Sequence, residues 1–188
     1  MRTRLLIWLG LSVSLVASVA AQQAAPPTTP ETFSATAQIP SGASAPIQIH
    51  IARFTPDFDR TSVEDALKTG GYPSFLTALR KAPEVGNVDF MGQKYLIRWA
   101  RNAQAGKART IVVVTEKPVF FVGGARSDAK PRAGYEVALI QVQIDANGAI
   151  TGTMAAAARV KPGGPTGVQI DDYGDEPVTL AKLTRKPN

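Results

Sequence analysis

Alternation of apolar and polar residues is the sequence feature that most constrains the fold of this chain. From Thr32 onward, apolar residues recur at every second position, as in residues 33–39 and 47–51. Because successive side chains of a β-strand point to opposite faces, this period indicates strands with one buried face. The pattern predicts eight or nine strands, and Asn147-Gly148 is a strong hairpin signal because both residues tolerate positive φ. We therefore predict a mainly β domain (α+β), a single antiparallel β-barrel or β-sandwich.

One helical segment interrupts the strand pattern near residues 61–82. Residues 61–64 (TSVE) have the form of a capping box, and Gly70-Gly71 would end the helix that begins there. Pro73 suits the first turn of a second helix, and Pro83 would end it. The sequence therefore predicts a short two-helix insertion that packs against the strands.

Residues 1–31 lie outside the strand pattern. Arg2 and Arg4 precede an apolar run over residues 5–19, and small residues follow it, which is the arrangement of a cleavable signal peptide over residues 1–21. The run is shorter than the roughly 20 residues of a membrane-spanning helix. Residues 22–31 predict a flexible leader, because they contain three prolines and no large apolar residue. We expect an exported protein, periplasmic or secreted and not inserted in a membrane after cleavage, with residues 32–188 as a single β-rich domain.

Composition excludes several kinds of chemistry. The chain has no cysteine and one histidine, so it has no disulfide, no thiol nucleophile and no thiolate metal site. Removal of Arg2 and Arg4 with the signal peptide would lower the formal net charge from +6 to +4. The remaining basic residues are dispersed along the chain, so we expect no nucleic-acid partner. No phosphate-binding or dinucleotide-binding glycine motif is present, and we expect no cofactor.

An aromatic row in the segment 95–101 (YLIRWAR) is the candidate ligand-binding surface. Strict alternation would place Tyr95, Ile97, Trp99 and Arg101 on one face of a strand. Aromatic rings ending in a guanidinium suit planar, anionic or peptide ligands. The alternative is that these residues form part of the core, with Arg101 at its rim. We take Tyr95, Trp99 and Arg101 as candidate binding residues.

A dense group of carboxylates near the C-terminus is a candidate metal loop. Its members are Asp171, Asp172, Asp175 and Glu176. Calcium binds carboxylate oxygens, so a calcium site is chemically reasonable here. An exposed β-turn is the favoured interpretation, since Gly174 and Pro177 already account for a turn. Apart from this candidate loop, we expect no metal site in the chain.

The order of these features resembles an uncharacterised family of exported bacterial proteins. The residues that carry the resemblance are Leu67-Lys68, Gly70-Gly71, 76–79, Gly86, 95–101, 111–118, 135–145, Gly148, Gly152, 172–174 and 176–178. This family has no assigned activity, so the resemblance implies export and a shared fold and supplies no catalytic residues.

The missing catalytic motifs favour a non-enzymatic function. We expect an exported domain that binds a small molecule or an envelope partner. One alternative is a cofactor-free hydrolase or lyase that uses His50 with a carboxylate such as Asp57, Asp59 or Asp172. A structural envelope protein is a further alternative.

Overall fold

The computed structural model describes residues 29–40, 42–119, 132–174 and 176–186. The predicted signal peptide and residues 22–28 of the predicted leader lie outside this part of the chain. The described residues form nine strands and one helix: β1 (Glu31–Gln38), β2 (Ser44–Ile51), α1 (Asp57–Lys81), β3 (Gly86–Phe90), β4 (Gln93–Ala105), β5 (Ala108–Thr115), β6 (Val137–Ile144), β7 (Ile150–Pro162), β8 (Val168–Tyr173) and β9 (Val178–Lys186). In that same part of the chain, no helix is both long enough and apolar enough to span a membrane.

Eight antiparallel strands form a closed barrel. The sheet order is β6-β5-β4-β3-β2-β1-β9-β7-β8, and the additional pairing of β6 with β7 joins its ends. The predicted choice between barrel and sandwich is therefore decided in favour of the barrel. Among the described residues, β8 pairs only with the final part of β7, from Ala158 to Pro162. We call these two paired segments the β7–β8 arm.

Apolar side chains occupy the interior of the barrel. Six of the largest inward residues, with at most 1 % exposure, are Phe33, Ile49, Phe90, Ile97, Ile111 and Ile140. An eight-stranded barrel has an interior just wide enough for such side chains to fill. The inside of the barrel is therefore the main hydrophobic core.

A second core lies between α1 and the outside of the barrel. Leu67, Phe75 and Leu79 of α1 belong to the same buried cluster as Val112 and Val114 of β5. The alternate residues of β5 face the barrel interior, which is why that strand is apolar on both faces. Residues 111–115 are accordingly all buried.

The helical insertion is one bent helix rather than the two predicted. Gly71 has φ of 65° and ψ of −162°, so it bends α1, but no loop separates the two halves. The predicted capping box is also wrong, because Pro56 occupies the N-cap position. Thr61 lies inside the helix, where its hydroxyl donates to the carbonyl of Asp57. The end of the helix before Pro83 is as predicted.

Candidate functional site

The predicted aromatic face is wrong because β4 contains a bulge. The pairing of β4 with β5 gains one residue on β4 between Ile97 and Trp99, which reverses the side-chain alternation. Tyr95 and Ile97 consequently pack with the barrel interior, whereas Trp99 is fully buried in the cluster beneath α1. Tyr95, Trp99 and Arg101 therefore do not form one binding face.

Arg101 lies on the outside of the barrel and holds α1. Its Nη1 donates to Glu64 Oε1 over 2.8 Å. Arg60 and Lys68 of α1 approach the same carboxylate at 3.9 Å. Glu64 also lies against Gly167, where an added Cβ would be 2.6 Å from the Glu64 carboxyl carbon. This arrangement gives Arg101 a structural contact between the helix and the barrel.

The carboxylates of the candidate metal loop are engaged by other side chains. Asp171 accepts a hydrogen bond from Arg159 Nε over 2.9 Å and lies 3.2 Å from Lys161 Nζ. The Lys161 ammonium and the Arg159 guanidinium hold the pKa of Asp171 below its usual value. Asp172 accepts a hydrogen bond from the Tyr135 hydroxyl, whose ring lies 3.8 Å from the Arg132 guanidinium carbon.

Of the remaining members of that loop, Glu176 is exposed, and Asp175 lies outside the described residues. In the described ranges, no three His, Asp or Glu side chains are grouped so that they could hold a metal ion. The two aspartates of β8 instead belong to the charge pairing of the β7–β8 arm.

The only histidine lies on the outer side of the barrel. His50 Nδ1 and the Thr32 hydroxyl share a hydrogen bond of 3.0 Å. Of the carboxylates considered with it, Asp57 pairs with Arg60 at 3.2 Å and Asp172 with Tyr135. Asp59 lies in the first turn of α1. The structure thus gives His50, Asp57 and Asp172 separate partners.

A buried carboxylate between two arginines lies at one mouth of the barrel. Glu31 is fully buried, and its Oε1 accepts a hydrogen bond from Arg109 Nη2 over 2.9 Å. Arg185 Nη2 lies 3.5 Å from the same oxygen. Arg109 Nε donates to Asn102 Oδ1 over 2.9 Å, which fixes the guanidinium plane. We call Glu31, Asn102, Arg109 and Arg185 the Glu31 cluster.

Two bulges bring this cluster together. The bulge of β4 turns Ala100 toward the interior, and Asn102 follows it two residues later. In β9, the pairing with β1 gains one residue next to Lys182, which has φ of 52°. Leu183 is therefore inward, and Arg185 lies two residues further on the same side. Without these bulges, strand alternation would turn both Asn102 and Arg185 outward.

Sequence reasoning missed the Glu31 cluster for two reasons. The composition of residues 22–31 led us to predict that Glu31 belongs to the flexible leader, whereas Glu31 is the first residue of β1. Bulges leave no regular signal in a single sequence, so the inward positions of Asn102 and Arg185 were hidden. One signal was available in the sequence. Glu31 lies two residues before Phe33, so strand alternation places both side chains on the same face of β1.

The charges of the Glu31 cluster do not balance. Two guanidinium groups face one carboxylate, and the exposed fraction of the side chain rises from 11 % at Arg109 to 38 % at Arg185. Glu31 Oε2 is buried and has no hydrogen-bond partner among the described residues. Guanidinium groups bind carboxylates and phosphates through paired hydrogen bonds, so the mouth can receive an anion.

A groove of about 350 Å³ adjoins the cluster at the same end of the barrel. Arg109 belongs to both, whereas Glu31, Asn102 and Arg185 are not among the described residues that line the groove. Other lining residues include Thr110, Gln143, Ile144, Asp145 and Thr151. In the turn between β6 and β7, Asp145 Oδ1 accepts the backbone N–H groups of Asn147 and Ala149 over 2.8 and 2.9 Å. The groove therefore has a basic residue and an acidic residue in its lining.

Comparison with known proteins gives no functional assignment. No family model matches this chain, and no curated protein or solved structure is significantly similar to it.

Proposed function

We propose that this chain is an exported, non-enzymatic β-barrel domain, periplasmic or secreted, that binds a small charged molecule at the mouth containing the Glu31 cluster. The observation that carries the proposal is the unbalanced pairing of one buried carboxylate with two arginines, one of which, Arg109, also lines a groove of about 350 Å³. Small-molecule sites are concave, have volumes of roughly 300–1,000 Å³ and contain a few placed polar groups.

The energetics of a buried ion pair support a binding role over a merely structural one. Burial of a carboxylate and a guanidinium costs desolvation free energy, and apolar residues of similar volume often stabilise a fold equally well. The barrel nevertheless places Glu31 and Arg109 at its mouth, and two bulges add Asn102 and Arg185. Bulges commonly re-aim side chains at barrel rims and beside functional sites.

The filled interior supports a site at the mouth. Large side chains such as Phe33 and Ile49 occupy the space in which wider barrels hold ligands. The pairing of His50 with Thr32, away from the carboxylates considered with it, supports a non-enzymatic role.

A thermal-unfolding experiment tests the mouth site. The midpoint of thermal unfolding would be measured for the wild type with acetate, phosphate or citrate at constant ionic strength. We expect at least one compound to raise it, because a ligand at 100 times its Kd stabilises the folded state by about 2.7 kcal/mol. Arg185→Gln should lose this response, because it removes the more exposed guanidinium.

Lys186→Gln is the matched control, since it removes a neighbouring cation from the same strand. It should respond as the wild type does. The proposal would be overturned if no compound stabilised the wild type, or if Arg185→Gln and Lys186→Gln responded equally.

Export is tested separately by expression in bacteria. We expect the protein in the periplasm or medium, with a mass that corresponds to cleavage after Ala21. Deletion of residues 5–19 should retain the protein in the cytoplasm. An uncleaved, membrane-associated wild type would contradict this part of the proposal. Membership of the resembled exported family stays a prediction.

A further inference from the structure

We infer that the Glu31 cluster takes a small monocarboxylate, and that Glu31 is the residue that restricts the ligand to one negative charge. This inference rests on the proposed function and narrows the class of ligand. Its basis is the charge of the cluster itself, together with the guanidinium donors that the cluster leaves unused.

The arginines of the cluster carry the donors that a carboxylate needs. Arg109 donates through Nε to Asn102 and through Nη2 to Glu31, and no described residue accepts from its Nη1. Arg185 is the more exposed of the two arginines, and its contact with Glu31 Oε1 is the longer one, at 3.5 Å. Because Arg109 and Arg185 approach the same Glu31 oxygen, one ligand carboxylate can lie beside both guanidinium groups. Guanidinium groups recognise planar carboxylates through paired hydrogen bonds.

The strand register separates these charges from the nearest other cation of the same strand. Arg185 pairs with Phe33, which packs in the barrel interior, and paired residues of antiparallel strands share a face. Lys186 and His50 both pair with Thr32, which alternates with Phe33, so these two side chains lie on the outer face. A carboxylate on the inner side of the mouth therefore meets Arg185 and not Lys186.

Glu31 lowers the charge of the site. Two guanidinium groups and one carboxylate give the cluster a formal charge of +1. Glu31 is fully buried, and its Oε2 has no hydrogen-bond partner among the described residues, so the two arginines are the described groups that offset its charge. Buried charges are screened by salt much less than exposed ones.

This charge balance limits the ligand. A single carboxylate would neutralise the cluster, whereas a second negative charge on the same small ligand would lie close to Glu31 without a cation of its own. Like charges placed together in a binding site are strongly unfavourable. The cluster therefore favours a monocarboxylate over a dicarboxylate of the same size.

Calorimetric titration with two matched probes tests the inference. Oxamate and oxalate are nearly equal in size, but at neutral pH oxamate carries a single negative charge and oxalate carries a second one. We expect the wild type to bind oxamate at least about tenfold more tightly than oxalate at constant ionic strength, because the second charge of oxalate is repelled by Glu31. This comparison needs no variant, so it does not depend on how a substitution affects folding.

Glu31→Gln tests the role of Glu31 directly. Glutamine keeps the shape of the side chain and an oxygen that can accept from Arg109, but it leaves both guanidinium charges without a carboxylate. The variant should therefore bind oxalate more tightly than oxamate, which changes the ratio of the two affinities by more than about tenfold. Glu84→Gln is the matched control, because it makes the same chemical change at an exposed residue of the loop before β3. It should retain the wild-type preference.

The outcomes distinguish this inference from the proposed function. If oxamate did not bind the wild type, or if oxalate bound as tightly as oxamate, the monocarboxylate inference would be overturned, while stabilisation by phosphate or citrate would still support the proposed function. An unchanged preference in Glu31→Gln would overturn the role of Glu31, and so would an equal change in Glu84→Gln, which would indicate an effect of the net charge. If neither probe nor any compound of the thermal-unfolding experiment bound, both proposals would fail.

Discussion

The contact between Glu64 and Gly167 shows how one residue without a side chain joins two parts of the molecule. Gly167 has φ of +87°, and its backbone lies against the Glu64 carboxylate that also binds Arg101. Glycine is required here twice, once for the left-handed backbone and once for the close approach. α1, β4 and the loop before β8 therefore meet at a single carboxylate.

Replacement of Gly167 should cost more than replacement of a glycine with the same backbone angle in open space. Gly148 has φ of +88° and no neighbouring atom within 4 Å of an added Cβ, so Gly148→Ala should cost about 1–2 kcal/mol from backbone strain alone. Gly167→Ala should cost more, because its methyl group would displace the Glu64 carboxylate. Urea unfolding of both variants measures the difference, and equal losses would contradict the role assigned to this contact.

At the level of elements, the β7–β8 arm carries the one barrel-associated edge strand that the described residues contain. β8 is short, and the pairing with β7 skips Asp171, which makes a bulge. Charged side chains of Arg159, Lys161 and Asp171 surround that bulge. Shortness, bulges and charge are the usual means by which natural proteins prevent strand addition at an edge.

The lowered pKa of Asp171 predicts an acid-sensitive arm. Because the folded-state pKa lies below the usual value of an aspartate, this carboxylate stabilises the fold at pH values above that usual pKa, and the contribution is lost as the pH falls through the folded-state pKa. Asp171→Asn should therefore narrow the difference in unfolding free energy between neutral and acidic pH. The measurement is urea unfolding of variant and wild type from pH 6 to about pH 2. Parallel pH profiles for the two proteins would contradict the prediction.

Sequence reasoning succeeded for elements whose signals are local. The hairpin at Asn147-Gly148 joins β6 and β7 as predicted, with Gly148 at positive φ, and this prediction is confirmed. It failed where an element depends on distant packing. The bulge that buries Trp99 beneath α1 also re-aims Asn102, and neither effect can be predicted from the alternation in β4. The candidate site was therefore missed although most of its strands were predicted.

For the whole molecule, barrel closure takes the place of covalent cross-links. The chain has no cysteine, so noncovalent contacts alone hold the fold. Each of the eight barrel strands is paired on both sides, whereas β8 is paired on one side within the described part of the chain. Opening of a barrel strand must break two ladders, which couples it to unfolding of the whole barrel.

Native-state hydrogen exchange should separate these two classes of strand. Hydrogen-bonded amides of β2, which lies between β1 and β3, should exchange only through global unfolding. Those of β8 should exchange through local opening, with a smaller free energy and a weaker dependence on denaturant. Equal opening free energies in β2 and β8 would show that the arm belongs to the same cooperative unit as the barrel.

The position of β9 sets the time at which folding can finish during synthesis. β9 lies between β1 and β7, and Lys186 pairs with Thr32 near the beginning of the described chain. A nascent chain that lacks β9 therefore has an open sheet. It also lacks Arg185, so the contact between Arg185 and Glu31 cannot yet form. Barrel closure must wait until the ribosome has made nearly every described residue, so the strands already synthesised keep unpaired edges until that moment.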